Sequence, residues 1–113
     1  PAFEVTGGYV NAKYGQMHRV RSITSSTSCT YLDYTVLCNA ASGNITVDVT
    51  SWPASYPGLV HIIKKTDASA NTVTIDPSST PTIDGAANVV LTAQWQYIMI
   101  QSDGTNWVKI GGN

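Results

Sequence analysis

The residues that can carry acid–base or nucleophilic chemistry are few and scattered along this chain of 113 residues. A hydrolytic triad needs a histidine, an acid and a nucleophile together. The two histidines are His18, next to Arg19, and His61, inside an apolar segment, and the chain has no GxSxG, HExxH or phosphate-binding glycine loop. Glycoside hydrolysis needs two carboxylates across a cleft, whereas Glu4 is the only glutamate and the aspartates fall mostly in turn-like segments. We therefore predict no enzymatic activity and a structural role for His61.

The ligand spacing of a metal or cofactor site is also missing. Asp76, Asp84 and Asp103 are too far apart for a calcium-binding loop, and Cys29 and Cys38 belong to no CxxC or Cys/His cluster. A site assembled from one residue per subunit on an oligomer axis stays open. We predict no metal and no cofactor. We also predict two reduced, partly buried thiols, with a disulfide across their short loop as the alternative.

Four aromatic residues have the right chemistry to stack on sugar rings: Trp52, Tyr56, Trp95 and Tyr97. The interpretation that we favour is structural. Trp95 and Tyr97 would pack in the core or in an interface, and Trp52 and Tyr56 would anchor a proline-rich loop. A host glycan bound at Trp52 and Tyr56 remains the alternative.

A small basic cluster lies near the N-terminus, where Lys13, His18, Arg19 and Arg21 stand close to Tyr14. The net charge of the chain is −1, which argues against a nucleic-acid partner whose affinity rests on neutralising phosphates. We favour a solvated patch, and a contact with an acidic patch on a partner protein would suit the cluster equally well.

The composition predicts an all-β protein of one domain. The chain has 11 Val, 9 Ile and 14 Thr against 4 Leu and 1 Glu, so residues that suit a pleated sheet outnumber good helix formers. Only 12% of the residues are charged, and Ser and Thr supply much of the polar surface. No apolar run approaches the 18 or so residues of a membrane span, and we predict no membrane partner.

The elements that must position these residues are short strands. Residues 1–18 show no sustained alternation and are predicted to form an N-terminal arm, followed by a β-domain over 19–113. Alternation and turn signals predict eight strands, at residues 19–24, 34–39, 45–50, 59–64, 72–75, 88–91, 96–101 and 107–110. Such a series is typical of a small β-sandwich, a jelly roll or a barrel.

Further expectations concern particular positions in this pattern. Tight turns are predicted at Asp84-Gly85 and around Asp103-Gly104. Residues 25–28 are predicted to be a polar loop. Lys64 and Lys65 are predicted to end a strand with their ammonium groups in water, and Trp107 to cover the open end of a small core.

Two predicted strands, at 59–64 and 96–101, have apolar residues on both faces. In residues 96–101, Ile98 and Ile100 share one face while Tyr97 and Met99 share the other. Because an exposed sheet normally has one polar face, we expect the second face to be covered or to meet another subunit.

Four blocks of sequence together resemble a β-domain of bacteriophage tail fibres and related virion-surface proteins. They are DYTVLCNAASGNITV at 33–47, YPG at 56–58 followed by IIKKTDASANTVTIDP at 62–77, TIDGA at 82–86, and QSDGTNW at 101–107. The resemblance runs from about Val20 to Ile110 and implies a homotrimer on the virion surface. The blocks specify a fold, and no reaction is implied with them.

Because a short arm precedes the domain, the sequence looks more like a capsid decoration (cement) protein than a long fibre. We predict that the arm contacts the major capsid protein through its apolar residues Phe3, Val5, Tyr9, Val10 and Tyr14, and that Trp95, Tyr97 and Met99 form the trimer interface. The alternative is a trimeric tail-fibre or head-fibre module that binds a host-surface glycan.

Overall fold

A computed structural model describes residues 13–49, 56–78 and 81–113, and these residues form nine strands without a helix. The strands are β1 (Val20–Ile23), β2 (Thr27–Ser28), β3 (Thr35–Cys38), β4 (Ile45–Asp48), β5 (Val60–Lys65), β6 (Val73–Asp76), β7 (Val89–Leu91), β8 (Tyr97–Ser102) and β9 (Trp107–Gly112). The all-β prediction is confirmed, and every predicted strand is present. The additional strand, β2, lies inside the segment predicted to be a polar loop.

The strands form two sheets between which the chain alternates. Sheet A has the order β1-β3-β5-β8-β9, and sheet B has the order β2-β4-β6-β7. The first six strands pair in parallel within their sheets, so the chain winds through three coils of a two-sheeted β-solenoid. Strands β7, β8 and β9 then pair antiparallel and complete the sheets. The two-layered β architecture matches the expected sandwich, but its parallel coils differ from the antiparallel strands of a jelly roll.

Stacked β-branched residues fill the space between the sheets. Ile45 pairs with Val73, and Val47 pairs with Ile75, on the adjacent parallel strands β4 and β6. All four side chains are buried, because alternation turns every second residue of each strand toward the core. From sheet A, Val36, Ile63 and Ile98 occupy one register row and are also buried.

The predicted turns have the expected backbone. Asp84 and Gly85 both have positive φ values, 50° and 81°, which is the signature of a type I′ turn, and Ile83 pairs with Ala86 across it. In the β8–β9 hairpin, the Asp103 carboxylate accepts hydrogen bonds from the backbone N–H groups of Thr105 and Asn106, both at 2.8 Å. Short polar side chains thus satisfy backbone donors where the chain reverses.

Ion pairs between described residues lie at the margins of the core. Nη1 of Arg21 donates to Oδ2 of buried Asp33 at 3.0 Å on the first coil. Lys65 forms another pair with Asp67, and its side chain is fully buried, so the prediction that its ammonium group reaches water was wrong. The reason is register: Lys65 follows His61 and Ile63 on the inward face of β5. Trp107 is also completely buried.

Candidate functional site

The outward faces of the two sheets differ in chemistry. Sheet B presents the polar residues Thr46, Asp48, Thr74 and Asp76 on its outward positions, with Val90 on its last strand. The outward positions of sheet A carry mainly apolar residues, which we call the apolar face: Val20, Leu37, Val60, Ile62, Tyr97, Met99 and Val108. The asymmetry marks sheet A as the side that gains most from being covered.

The residues of the apolar face lie in aligned register rows, which also contain the polar residues Thr35 and Lys64. Ile62 lies between Thr35 on β3 and Met99 on β8. In the next row, Leu37 pairs with Lys64, which in turn pairs with Tyr97. Neighbouring strands lie about 4.8 Å apart, so side chains in one register row are neighbours across the sheet. The predicted division of β8 into a face with Ile98 and Ile100 and a face with Tyr97 and Met99 is confirmed.

Trp95 stands at the border of this face in an unusual backbone conformation. Its φ is +70°, a left-handed region that non-glycine residues rarely occupy, and its side chain is 54% exposed. The turn is held by hydrogen bonds, because Trp95 N–H donates to the carbonyl of Lys65 at 2.8 Å. Nζ of Lys64 lies 5.8 Å from the ring centroids of both Trp95 and Tyr97. Trp95 is therefore not a core residue, and its indole is presented to solvent.

A second surface feature is a cleft of about 400 Å³. It crosses the N-terminal ends of the three parallel strands of sheet A, because its walls come from the segments that precede β1 and β3 and from the start of β5. The lining residues are Met17, His18, Arg19, Tyr31, Leu32, Asp33, Tyr34, Gly58, Leu59 and Val60. His18 and Tyr34 stack on each other, with ring centroids 4.2 Å apart.

Two arginines share one carboxylate at the base of this cleft. Oδ2 of Asp33 accepts hydrogen bonds from Arg21 Nη1 and from the N–H of Thr30, both at 3.0 Å, and Arg21 also bonds to the hydroxyl of Thr27. Oδ1 of Asp33 finds no hydrogen-bond partner among the described residues. Nη1 of Arg19 lies 4.0 Å from it, and the Arg19 side chain is 50% exposed. Arg19 therefore keeps donors that can reach a ligand.

Burial favours the neutral forms of His61, Cys29 and Cys38. Burial lowers the pKa of His61, and the hydrogen bond between Nδ1 and the Asp33 carbonyl (2.8 Å) opposes that shift only in part. Burial raises the pKa of both Cys29 and Cys38 to about 12. Both cysteines are free, as predicted, and both are fully buried where partial burial was expected. His61 lies on a strand as expected, but its Nε2 has no hydrogen-bond partner in the described structure.

The structure brings together part of the predicted site residues. Tyr97 and Met99 lie on the apolar face, with Trp95 at its border. Tyr14 is 89% exposed and Tyr56 is 52% exposed. Phe3, Val5, Tyr9, Val10 and Trp52 lie outside the described residues, so the remaining predictions for the arm and the proline-rich loop are unchanged.

Sequence reasoning missed the role of Asp33. The basic cluster of Arg19 and Arg21 was visible in the sequence. The carboxylate that both arginines approach belongs to Asp33, which lies 14 positions after Arg19 and 12 after Arg21. The alternation of Val20–Ile23 places Arg21 on the core side of β1, and an inward-facing arginine predicts a buried acidic partner. That signal could have been used.

Comparison with known proteins assigns this chain to no family. No protein-family model matches the chain, and no curated protein matches it either. Among residues 13–49, 56–78 and 81–113, no group of three or more His, Cys, Asp or Glu side chains could hold a metal ion. The same residues include no helix long and apolar enough to cross a membrane.

Proposed function

We propose that this protein is a structural component of a bacteriophage virion surface, a homotrimeric capsid decoration protein that stabilises the head. The observation that carries the proposal is the apolar face of sheet A opposite a polar sheet B. Parallel sheets are normally covered on both faces, and here the second cover would be a neighbouring copy of the chain. The sequence blocks that resemble phage fibre domains support the virion context.

The mechanism of such a protein is binding alone. A trimer that buries the apolar faces would present three N-terminal arms, and each arm would place Phe3, Val5, Tyr9, Val10 and Tyr14 against major capsid protein subunits. Anything that binds the assembled shell and not its separated subunits stabilises the shell by mass action. This role needs no catalytic group.

Self-association is tested by placing a charge on the apolar face. Met99→Lys should give a folded monomer, because a buried unpaired ammonium group is costly in an interface, while the unmodified chain sediments as a trimer. Val90→Lys is the matched control, since Val90 is 42% exposed on the outward side of sheet B. Sedimentation equilibrium measures both. A wild-type monomer, or a Met99→Lys trimer, would contradict the proposal.

Location on the particle is tested by copy number. Quantitative mass spectrometry of purified virions should find about one copy per major capsid subunit, the stoichiometry of a decoration protein. A ratio of a few per cent would instead favour the fibre alternative and a glycan at Trp52 and Tyr56. Deleting residues 1–14 should leave a folded trimer that no longer binds heads. A deletion variant that still decorates heads would refute the arm's role.

A further inference from the structure

We propose that the cleft at the N-terminal ends of β1, β3 and β5 is a docking site for an extended acidic peptide segment of the partner protein, with a carboxylate of that segment bound by Arg19. The inference rests on the proposed function, because it names the chemistry of the capsid-protein segment that this chain contacts. It adds a site on the folded domain to the contacts proposed for the arm.

Charge is the first reason. The surroundings of the cleft contain two guanidinium groups, from Arg19 and Arg21, and one carboxylate, from Asp33. Arg21 already hydrogen-bonds to Asp33 at 3.0 Å, whereas Arg19 lies 4.0 Å from the same side chain and is half exposed. One positive charge is therefore not neutralised by Asp33, and it belongs to Arg19, the arginine nearer to solvent. A planar guanidinium with unused N–H groups is suited to bind a carboxylate through two parallel hydrogen bonds.

The walls of the cleft are the second reason, and they favour a peptide over an acidic sugar. Met17 is 99% exposed and Leu32 is 55% exposed, and Leu59 and Val60 line the same space. These aliphatic side chains suit the apolar neighbours of an acidic residue in a peptide. Sugar rings prefer open aromatic faces, but Tyr34 and His18 each have one face covered by the other ring at 4.2 Å, so Tyr31 is the remaining aromatic ring of the lining.

Size and position are the third reason. A volume of about 400 Å³ is in the range of pockets that hold small ligands, about 300–1,000 Å³, and is enough for a few side chains of an extended segment. The cleft also lies beside residues 13–19, which lead from the arm into β1. A segment of capsid protein that contacts the arm can therefore continue into the cleft without a long connection.

The test is an NMR titration of the full-length, ¹⁵N-labelled protein with three probes. Acetyl-Leu-Glu-Leu-amide should shift the amide signals of Asp33, Tyr34 and Val60 and the Nε–Hε signal of Arg19. Acetyl-Leu-Gln-Leu-amide should bind at least about tenfold more weakly, because it cannot form the charge-assisted pair. Glucuronic acid supplies the same carboxylate on a sugar and should bind more weakly than the Glu peptide.

Variants locate the binding. Arg19→Gln should abolish the shifts caused by the Glu peptide, and Leu32→Ser should weaken binding several-fold. Lys109→Gln removes one exposed cation from β9, at the opposite edge of sheet A, and should bind as wild type. Equal binding of the Glu and Gln peptides, an Arg19→Gln variant that binds normally, or preference for glucuronic acid would each overturn the proposal. The cleft shares Val60 with the apolar face, and sedimentation tests self-association through that face separately.

Discussion

Nζ of Lys65 lies 2.8 Å from Oδ2 of Asp67, although the lysine side chain is completely removed from solvent. Nζ also donates to the backbone carbonyls of Asp67 at 2.9 Å and Ser69 at 3.1 Å, so all three of its N–H groups have acceptors. Asp67 in turn accepts a hydrogen bond from the N–H of Ala40 at 2.7 Å. This ion pair therefore ties the turn after β5 to the turn after β3.

Removing the cation of this pair should strongly destabilise the fold. Lys65→Met keeps an unbranched apolar stem but leaves the Asp67 carboxylate without its cation, and breaking a buried pair in this way costs about 3–5 kcal/mol. Urea denaturation at a fixed protein concentration measures the change. Lys109→Met, at an exposed position, should change the free energy of unfolding by less than about 0.5 kcal/mol. A loss below about 1 kcal/mol for Lys65→Met would show that the pair contributes little.

His61 should make stability depend on pH below neutrality. Burial lowers its pKa from the ordinary value of 6.5, so the unfolded chain binds a proton at a higher pH than the folded chain. Stability is therefore fully present above about pH 6.5 and falls as the pH drops below it, by at most about 1.4 kcal/mol per pH unit from this group. The free energy of unfolding between pH 7.5 and 5 measures the effect.

The matched variants are His61→Asn and His18→Asn. His61→Asn keeps a side-chain donor for the Asp33 carbonyl but cannot titrate, so it should flatten the pH dependence in this range. His18 is exposed and stacks on Tyr34, so His18→Asn should keep the slope. A slope that survives in His61→Asn would assign the effect to other groups.

Both thiols should be unreactive in the folded protein. The pKa of Cys29 is raised to about 12 by burial first and by the charge of Asp33 second, and the pKa of Cys38 by burial first and by Asp67 second. Because the thiolate is the reactive form, iodoacetamide at pH 8 should label neither cysteine without denaturant and both in guanidinium chloride. Mass spectrometry counts the labels. Rapid labelling of either residue under native conditions would contradict their buried positions.

The sequence was sufficient to predict where the strands lie and insufficient to predict how they pair. Alternation and turn residues depend on neighbours a few positions away, and every predicted strand is present. The parallel pairing of β1 with β3, across 15 residues at Val20 and Thr35, depends on how coils stack, which no local pattern records. Strand β2 was missed because it is two residues long in a Ser/Thr-rich segment.

Predictions for individual side chains were wrong or incomplete where tertiary contacts outweigh the usual preference of a residue type for the core or for solvent. Lys65 looked like a solvated strand end because lysine is rarely buried, but the acceptors that make its burial tolerable lie two and four residues further on in a turn. The sequence predicted Trp95 either in the core or in an interface. Its exposed side chain and positive φ exclude the core. The buried carboxylate of Asp33 likewise depends on Arg21 in β1 and on Arg19 just before that strand.

Trp95 should be an anchor of self-association, with little role in the stability of the single chain. A left-handed backbone at a non-glycine residue costs about 1 kcal/mol or more, and asparagine tolerates that region better. Its contact with Lys64 is worth about 0.5–1 kcal/mol at an exposed site. The two effects oppose each other, so in the monomeric Met99→Lys background Trp95→Asn should change the free energy of unfolding by less than about 1 kcal/mol.

In the wild-type background Trp95→Asn should weaken the trimer at least about tenfold, since buried tryptophans dominate interface energies. Val90→Asn on sheet B should leave sedimentation unchanged. A Trp95→Asn trimer as stable as the wild type would place the indole outside the interface.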